Sequence, residues 1–164
     1  MTSTGHGPGR GAGQQRFRVR RADWRADGAA LRRVRQAVFV EEQQVPPPEE
    51  WDGRDAAAVH LLAEDAAGRP LGCARLLAGR KIGRLAVLPA HRGRGVGRAL
   101  LQAVIELAED AGPVELQLDA QLQALEFYRP FGFEARGPVF DDAGIPHRLM
   151  VRPAAGGAAG CGRG

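Results

Sequence analysis

The stretch Ile82-Gly83-Arg84-Leu85-Ala86-Val87-Leu88-Pro89-Ala90-His91-Arg92-Gly93-Arg94-Gly95-Val96-Gly97-Arg98-Ala99-Leu100-Leu101 organises the chain. An apolar run closes at Leu88-Pro89, a short turn of arginine and glycine follows, and a helical pattern then runs on to Ala111. The order is strand, glycine loop, helix. The first N–H groups of a helix have no carbonyl partner, so such a junction can hold an anion. Gly93, Gly95 and Gly97 allow close approach and unusual dihedrals, and Arg92, Arg94 and Arg98 add positive charge beside them. The stretch reads as a cradle for a phosphate or pyrophosphate. It is not a P-loop, because no Gly-Lys-Ser/Thr follows, and glycines at alternate positions make a poor dinucleotide fingerprint. A basic surface turn opening a core helix is the competing reading.

Outward from this stretch, the pattern supplies a sheet on either side. Upstream, Phe17 and Val19 alternate with arginines as in a half-buried first strand. Asp23 or Asp27 can cap a helix that carries Leu31, Val34, Ala37 and Val38 at helical spacing. Pro46-Pro47-Pro48 stops that helix, and Glu41, Glu42, Glu49, Glu50, Asp52 and Asp55 make the following segment acidic. Trp51 reads as a packing anchor for that loop or as part of a pocket wall. Strands over 57–64, 70–78 and 82–88, joined by short turns, predict an antiparallel meander.

Downstream, Val96, Leu100, Ala103, Val104, Leu107, Ala108 and Ala111 share one helix face, and Gly112-Pro113 ends the helix. A strand over 114–119 follows. Strand, crossover helix and strand imply a parallel pair, with a cleft opening at the glycine loop. A shorter helix over 121–130, a strand after Phe131-Gly132-Phe133, a hairpin at Asp141-Asp142-Ala143-Gly144 and a last strand over 145–152 complete the chain. The class is α+β: a mixed, mostly antiparallel sheet of about six to seven strands with helices on both faces.

The totals bound the function. A chain of 164 residues that is 44% hydrophobic suits one domain with a real core. No apolar run approaches the ~20 residues of a membrane helix, and the glycine-rich N-terminus lacks the apolar segment of a signal peptide, so a cytoplasmic protein without membrane contact is expected. Net charge is +4, but aromatic content is only 5% and no stacking platform is interleaved with the arginines. This argues against nucleic acid as a partner; an anionic ligand explains the sign equally well. Cys73 sits in an apolar strand pattern as a small buried residue, and Cys161 lies in a glycine-rich tail. Neither makes a zinc spacing with His6, His60, His91 or His147, so no metal is expected. Residues 1–14 and 153–164 lack periodicity and are expected to be disordered tails around a domain over 15–152.

Arg92-x-x-Gly95-x-Gly97, after a strand ending Leu85-Ala86-Val87-x-Pro89, resembles motif A of the GNAT N-acetyltransferase superfamily. Ala124-x-x-Phe127-Tyr128-x-x-Phe131-Gly132-Phe133 resembles the family's second cofactor motif. More narrowly, Val38-Phe39-Val40-Glu41-Glu42-Gln43, Asp52, Asp55 and His60 are similar to the ElaA-like subgroup. The likeness covers roughly residues 16 to 152. It implies a central parallel pair splayed by a bulge to admit the pantetheine arm of acetyl-CoA as co-substrate. It also implies an amine-bearing small molecule or peptide as acceptor, attacking the thioester directly. A non-catalytic acyl-CoA-binding or sensing module on the same fold is the alternative. Family members are often dimers, so a homodimer is open.

The resemblance also assigns roles. Backbone groups of Leu85, Ala86 and Val87 would pair with pantetheine and supply the oxyanion donor. Arg92, Gly93, Arg94, Gly95, Val96, Gly97 and Arg98 would hold the pyrophosphate, mainly through N–H groups, with the side chains of Arg92 and Arg94 as solvent-facing helpers. Tyr128, the sole tyrosine, matches the residue that protonates the departing thiolate. Gln121 stands where the family often has Asn, and is carried over as a cofactor-binding residue. The segment after the first helix forms one wall of the acceptor site in this fold, and an acidic wall would suit a cationic amine. For the general base, His60, Glu42, Asp52, Asp55 and His147 are open candidates, and water alone is another.

Overall fold

The computed structural model describes residues 16–156. Of the expected tails, residues 1–14 and 157–164 lie outside the described residues, while residues 153–156 are described and hold neither strand nor helix. The strands are β1 (Phe17–Ala22), β2 (Val59–Asp65), β3 (Pro70–Leu77), β4 (Lys81–Val87), β5 (Leu116–Gln121), β6 (Glu134–Asp142) and β7 (Ile145–Arg152). The helices are α1 (Gly28–Arg35), α2 (Pro47–Glu50), α3 (Val96–Glu109) and α4 (Leu125–Tyr128). One sheet holds all seven strands in the order β1-β2-β3-β4-β5-β7-β6. Only β4 and β5 run parallel, as the crossover through α3 requires; every other neighbour is antiparallel.

Two cores lie on opposite faces of this sheet. Leu100, Leu101, Val104 and Ile105 of α3 pack on Leu61, Ala74, Ile82, Leu116 and Leu118. Leu31 and Val34 of α1, with Val38 just beyond it, pack on Leu62, Cys73 and Ala86. The division follows strand parity: on β5, Leu116, Leu118 and Ala120 face α3, which leaves Gln117, Asp119 and Gln121 on the other face. Cys73 is buried as expected, and burial pushes its thiol up to about 12.

Strand β4 breaks that parity. Its pairing with β3 shifts between Cys73 and Arg75, so Arg84 and Leu85 stand opposite Ala74 alone. This is a bulge, and Arg84 takes φ 49°, a left-handed value uncommon outside glycine. The extra residue turns Ala86 toward the α1 core, although Ile82, four residues earlier, faces α3. Beyond it β4 bends from its parallel neighbour. The β4–β5 ladder has a single registered pair, Lys81↔Gln117, and opens from there.

Three local details differ from the sequence reading. Asp27 holds the N-cap position of α1 but does not cap it; its carboxylate takes Arg20 and the Asp23 N–H instead. Past Arg35 the helix widens into a π-helical turn over Gln36–Glu42, with the Gln43 N–H bonded to the Val38 carbonyl. The helix expected over 121–130 is three short pieces, 3₁₀ at Leu122–Ala124, α4, and 3₁₀ at Arg129–Phe131. Pro130 and Gly132, the latter at φ 89°, prevent a longer run.

Candidate active site

The opening between β4 and β5 is a cleft of about 590 Å3. Leu85, Ala86 and Val87 line it from β4, Gln121 from the end of β5, Tyr128 from α4 and Arg92 from the loop before α3. These expected site residues therefore meet at one place. Gly93, Arg94, Gly95, Val96, Gly97 and Arg98 continue from Arg92 but are not part of the lining.

The glycine loop has the backbone an anion cradle needs. Gly93 and Gly95 take φ 75° and 83°, which a side chain would strain. Gly95 is the N-cap of α3, no side chain caps that end, and Ala99 is the first N–H to return to the Gly95 carbonyl, at 3.0 Å. The N–H groups of Val96, Gly97 and Arg98 precede the first helical bond and are available to a ligand. Gly97 differs from the other two: it lies in the helix at an ordinary φ, and an added Cβ would meet Phe127 and Val87 at 3.5 and 3.6 Å.

Arg92 is more committed than a solvent-facing helper. Its Nε donates to the Val87 carbonyl at 3.0 Å, and its terminal nitrogens donate to both oxygens of Glu42 at 2.9 and 2.6 Å. Arg92 in turn holds the Glu42 carboxyl below its ordinary value. Gln121 donates to the Gln43 side chain at 2.9 Å and accepts from Gln123 at 2.6 Å. The end of the π-helical turn is thus tied to both sides of the opening.

Tyr128 lies partly buried on the α3 side, edge-on to Phe127 at 5.0 Å and to Phe133 at 6.1 Å. Burial pushes its phenol up to about 12. At neutral pH the group stays protonated, and a proton held this way can pass to a thiolate as charge develops on sulfur.

On the α1 side the acidic segment is not a free acidic wall. Arg35, 1% exposed, donates to Glu50 and Asp55 at 2.6 Å each. Arg75 donates to Asp52 and Asp55 at 2.9 to 3.1 Å. Arg84 lies 3.0 Å from Glu50 and 3.4 Å from Asp52. Three arginines thus neutralise three carboxylates, and the expectation of an acidic wall is corrected to this extent. A run of acidic residues shows in the sequence, but the arginines that answer it come from α1, β3 and β4. The visible signal was Arg75, a charge inside an otherwise apolar strand, where burial demands partners. Glu49 and Asp142 line the cleft and pair with no cation among the described residues.

The base candidates separate. His60 is 2% exposed, stacks on Trp24 at 5.0 Å, and has Nε2 2.8 Å from the Asp55 carbonyl. Burial pushes it below its ordinary value, and it is outside the cleft lining. Asp52 and Asp55 are held by arginines and also lie outside the lining. Glu42 lines the cleft but is taken by Arg92. His147 lines the cleft and is not ion-paired. Trp51 is no part of the wall; it anchors the acidic loop under Arg35, whose guanidinium sits 4.8 Å from the ring centre.

Comparison with known proteins agrees with this geometry. Residues 23–152 match a family model described as an acetyltransferase (GNAT) domain. An uncharacterised N-acetyltransferase of Bacillus subtilis, YjcF, is 38% identical over 123 residues, 73% of this chain and 87% of that protein. The crystal structure of Escherichia coli ElaA superposes with a TM-score of 0.74 at 29% identity, covering 83% of this chain and 99% of ElaA. A GNAT acetyltransferase of Brucella melitensis, solved in complex with acetyl-CoA, superposes with a TM-score of 0.61 at 27% identity, over 81% of this chain and 96% of that one.

Proposed function

The chain belongs to the GNAT acetyltransferase family, and from that premise we propose that it moves an acetyl group from acetyl-CoA to an amine acceptor by direct attack on the thioester. The observation that carries the reading is the opening of β4 from β5 beyond Lys81↔Gln117, with the sole tyrosine, Tyr128, lining it. The Brucella relative with bound acetyl-CoA supports the choice of co-substrate.

The fit is physical as well as familial. A thioester arm is slender and amide-bearing, and the β4 edge at Leu85, Ala86 and Val87, which β5 leaves uncovered, would offer it strand-like hydrogen bonds, the Val87 carbonyl only where Arg92 Nε releases it. An N–H of this segment would steady the oxyanion. The uncapped end of α3 and Arg92 would hold the pyrophosphate. Tyr128 reaches the cleft from the α3 side, and the acceptor would enter from the α1 side. The amine nitrogen attacks the carbonyl carbon, the C–S bond breaks, and Tyr128 protonates the departing sulfur. The acceptor is a small molecule or a peptide amine. The paired carboxylates in the wall weaken the case for a strongly cationic acceptor, and Glu49 and Asp142 retain a modest one.

Thiol release from acetyl-CoA across a panel of amines and peptides tests this, with Tyr128→Phe beside wild type and a thermal shift by acetyl-CoA as control. Turnover in wild type, a loss of about 100-fold in kcat in the variant, and a preserved shift are expected. No thermal shift at a concentration that would reveal ~10 µM binding removes the reading.

A further inference from the structure

We propose that His147 is the general base of the transfer, taking a proton from the acceptor ammonium at Nε2. This rests on the acetyl-transfer reading and extends it to the one step that reading leaves without a residue.

The argument begins with strand register. His147 pairs with Gln121 of β5 on one side and Phe140 of β6 on the other. Gln121 and Asp119 lie on the β5 face turned away from the α3 core, so His147 is on that face too. Tyr128 packs with the opposite core, against Phe133. The two residues thus line one cleft from opposite faces of the sheet. An acid for the leaving sulfur and a base for the incoming nitrogen need that disposition, because nucleophile and leaving group lie on different sides of the carbonyl carbon.

The imidazole is also held in the reactive tautomer. Its Nδ1 lies 2.6 Å from the Ile145 carbonyl, which can only accept, so Nδ1 carries the hydrogen. Nε2 of the neutral ring then bears the lone pair, and no donor among the described residues occupies it. The ring stacks on Phe140 at 5.9 Å and 20°, which fixes its plane. A histidine oriented through one nitrogen with the other open to a cleft has the build of a proton acceptor. The charged groups that line the same cleft are Asp142 of β6, Asp119 of β5 with its partner Lys81 at 3.0 Å, Glu49 and Glu50 of α2, Arg75 of β3, Arg84 of β4, and Glu42 with Arg92.

The proton balance is simple. The ammonium gives one proton to Nε2, leaving a neutral amine and an imidazolium still bonded to Ile145. The amine adds to the thioester carbonyl, the C–S bond breaks, and the sulfur leaves with the Tyr128 proton. The second proton lost by the new amide nitrogen restores Tyr128, and His147 releases the first to solvent.

His147→Asn tests the proposal, since its amide can still donate to the Ile145 carbonyl but offers nothing at the Nε2 position. Thiol release is followed from mildly acidic to alkaline pH. One acceptor is an alkylamine that wild type accepts; the other is a weakly basic aromatic amine, already neutral across that range. For the alkylamine, kcat/KM falls about 100-fold near neutrality, and the deficit closes as alkali deprotonates the amine. The aromatic amine is nearly unaffected, and the acetyl-CoA thermal shift is retained. Equal losses for both amines, a loss that ignores pH, or no loss overturns the assignment. Should the Asn variant lose the thermal shift, His147→Gln is measured in the same way; loss in both makes the histidine structural, and the proposal falls. If wild type turns over no amine although acetyl-CoA binds, the transferase reading itself has failed, and the base falls with it.

Discussion

Arg92 grips Glu42 through two hydrogen bonds, of 2.9 and 2.6 Å, across 50 residues of sequence, and so fastens the glycine loop to the end of the π-helical turn. Its Nε meanwhile occupies the carbonyl of Val87 at 3.0 Å, on the strand edge that pantetheine would use. Both side chains are well exposed, at 45% and 36%, so the pair adds less than about 1 kcal/mol to stability. Arg92→Ala therefore leaves the melting temperature almost unchanged. It raises the Kd for acetyl-CoA roughly tenfold, because a charge-assisted contact to phosphate is lost. Glu42→Gln frees the arginine and does not weaken the cofactor. Calorimetric titration of both variants decides; an unchanged Kd in Arg92→Ala makes the arginine a structural tie alone.

The buried cluster on the α1 side of the cleft behaves in the opposite way. Arg35 is 1% exposed and serves Glu50 and Asp55 at once, with the Glu50 carbonyl at 3.1 Å as a third partner. Removing it leaves carboxylates out of water without their cation. Arg35→Met is expected to cost about 3–5 kcal/mol, the usual penalty for breaking a buried pair from one side. Urea unfolding measures it, and a cost below about 1 kcal/mol would show that water or Arg75 compensates.

That cluster also marks where the sequence was legible and where it was not. Local signals were read directly: the strand–glycine–helix junction, the crossover that makes β4 and β5 parallel, and Tyr128 ahead of Phe131-Gly132-Phe133 all announce themselves within a few residues. What escaped depends on distant partners. Glu50, Asp52 and Asp55 look like a charged loop until Arg75 and Arg84 arrive from strands some 20 to 34 residues on. A bulge in β4 was implied by the family resemblance, but its place at Arg84 has no composition signal, since an arginine at φ 49° is held there by its hydrogen bonds to Glu49 and Glu50. His60 and His147 both lie on the α1 face of the sheet, and only the strand order, which sets β2 beneath Trp24 and β7 beside the opening, tells which one faces the cleft.

The same carboxylates set the acid limit of the fold. Burial works to raise Asp55, but Arg35 and Arg75 outweigh it and hold the group below its ordinary value. Asp52 is lowered in the same way, by Arg75 and the Arg54 N–H against burial. As pH falls, the unfolded chain takes up protons first, near the ordinary carboxylate value of about 4, while the folded chain resists. The stability these groups contribute is complete above that value and drains away below it. Burial pushes Glu50 upward and opposes the trend in part. The urea midpoint should be level from neutrality down to about pH 5 and then fall steeply. Asp55→Asn should shallow that fall; an unaltered slope would place the acid sensitivity elsewhere, for instance at Glu64 with Arg18 and Arg20.

Two glycines of one motif separate backbone need from packing need. Gly95 caps α3 at φ 83°, so Gly95→Ala must hold an alanine in the left-handed region, at a cost of roughly 1–2 kcal/mol. Gly97 lies inside the helix, and its added methyl would meet Phe127 and Val87 at ordinary contact distances of 3.5 and 3.6 Å. Gly97→Ala should therefore gain about 0.5–1 kcal/mol from helix propensity and reduced unfolded-state entropy. Opposite shifts of the melting temperature are the expected result. If both variants lose stability, Gly97 is needed for packing against Phe127 more closely than 3.5 Å allows. If Gly97→Ala is stable but binds acetyl-CoA poorly, that glycine is kept for the ligand's approach to the N–H groups rather than for the fold.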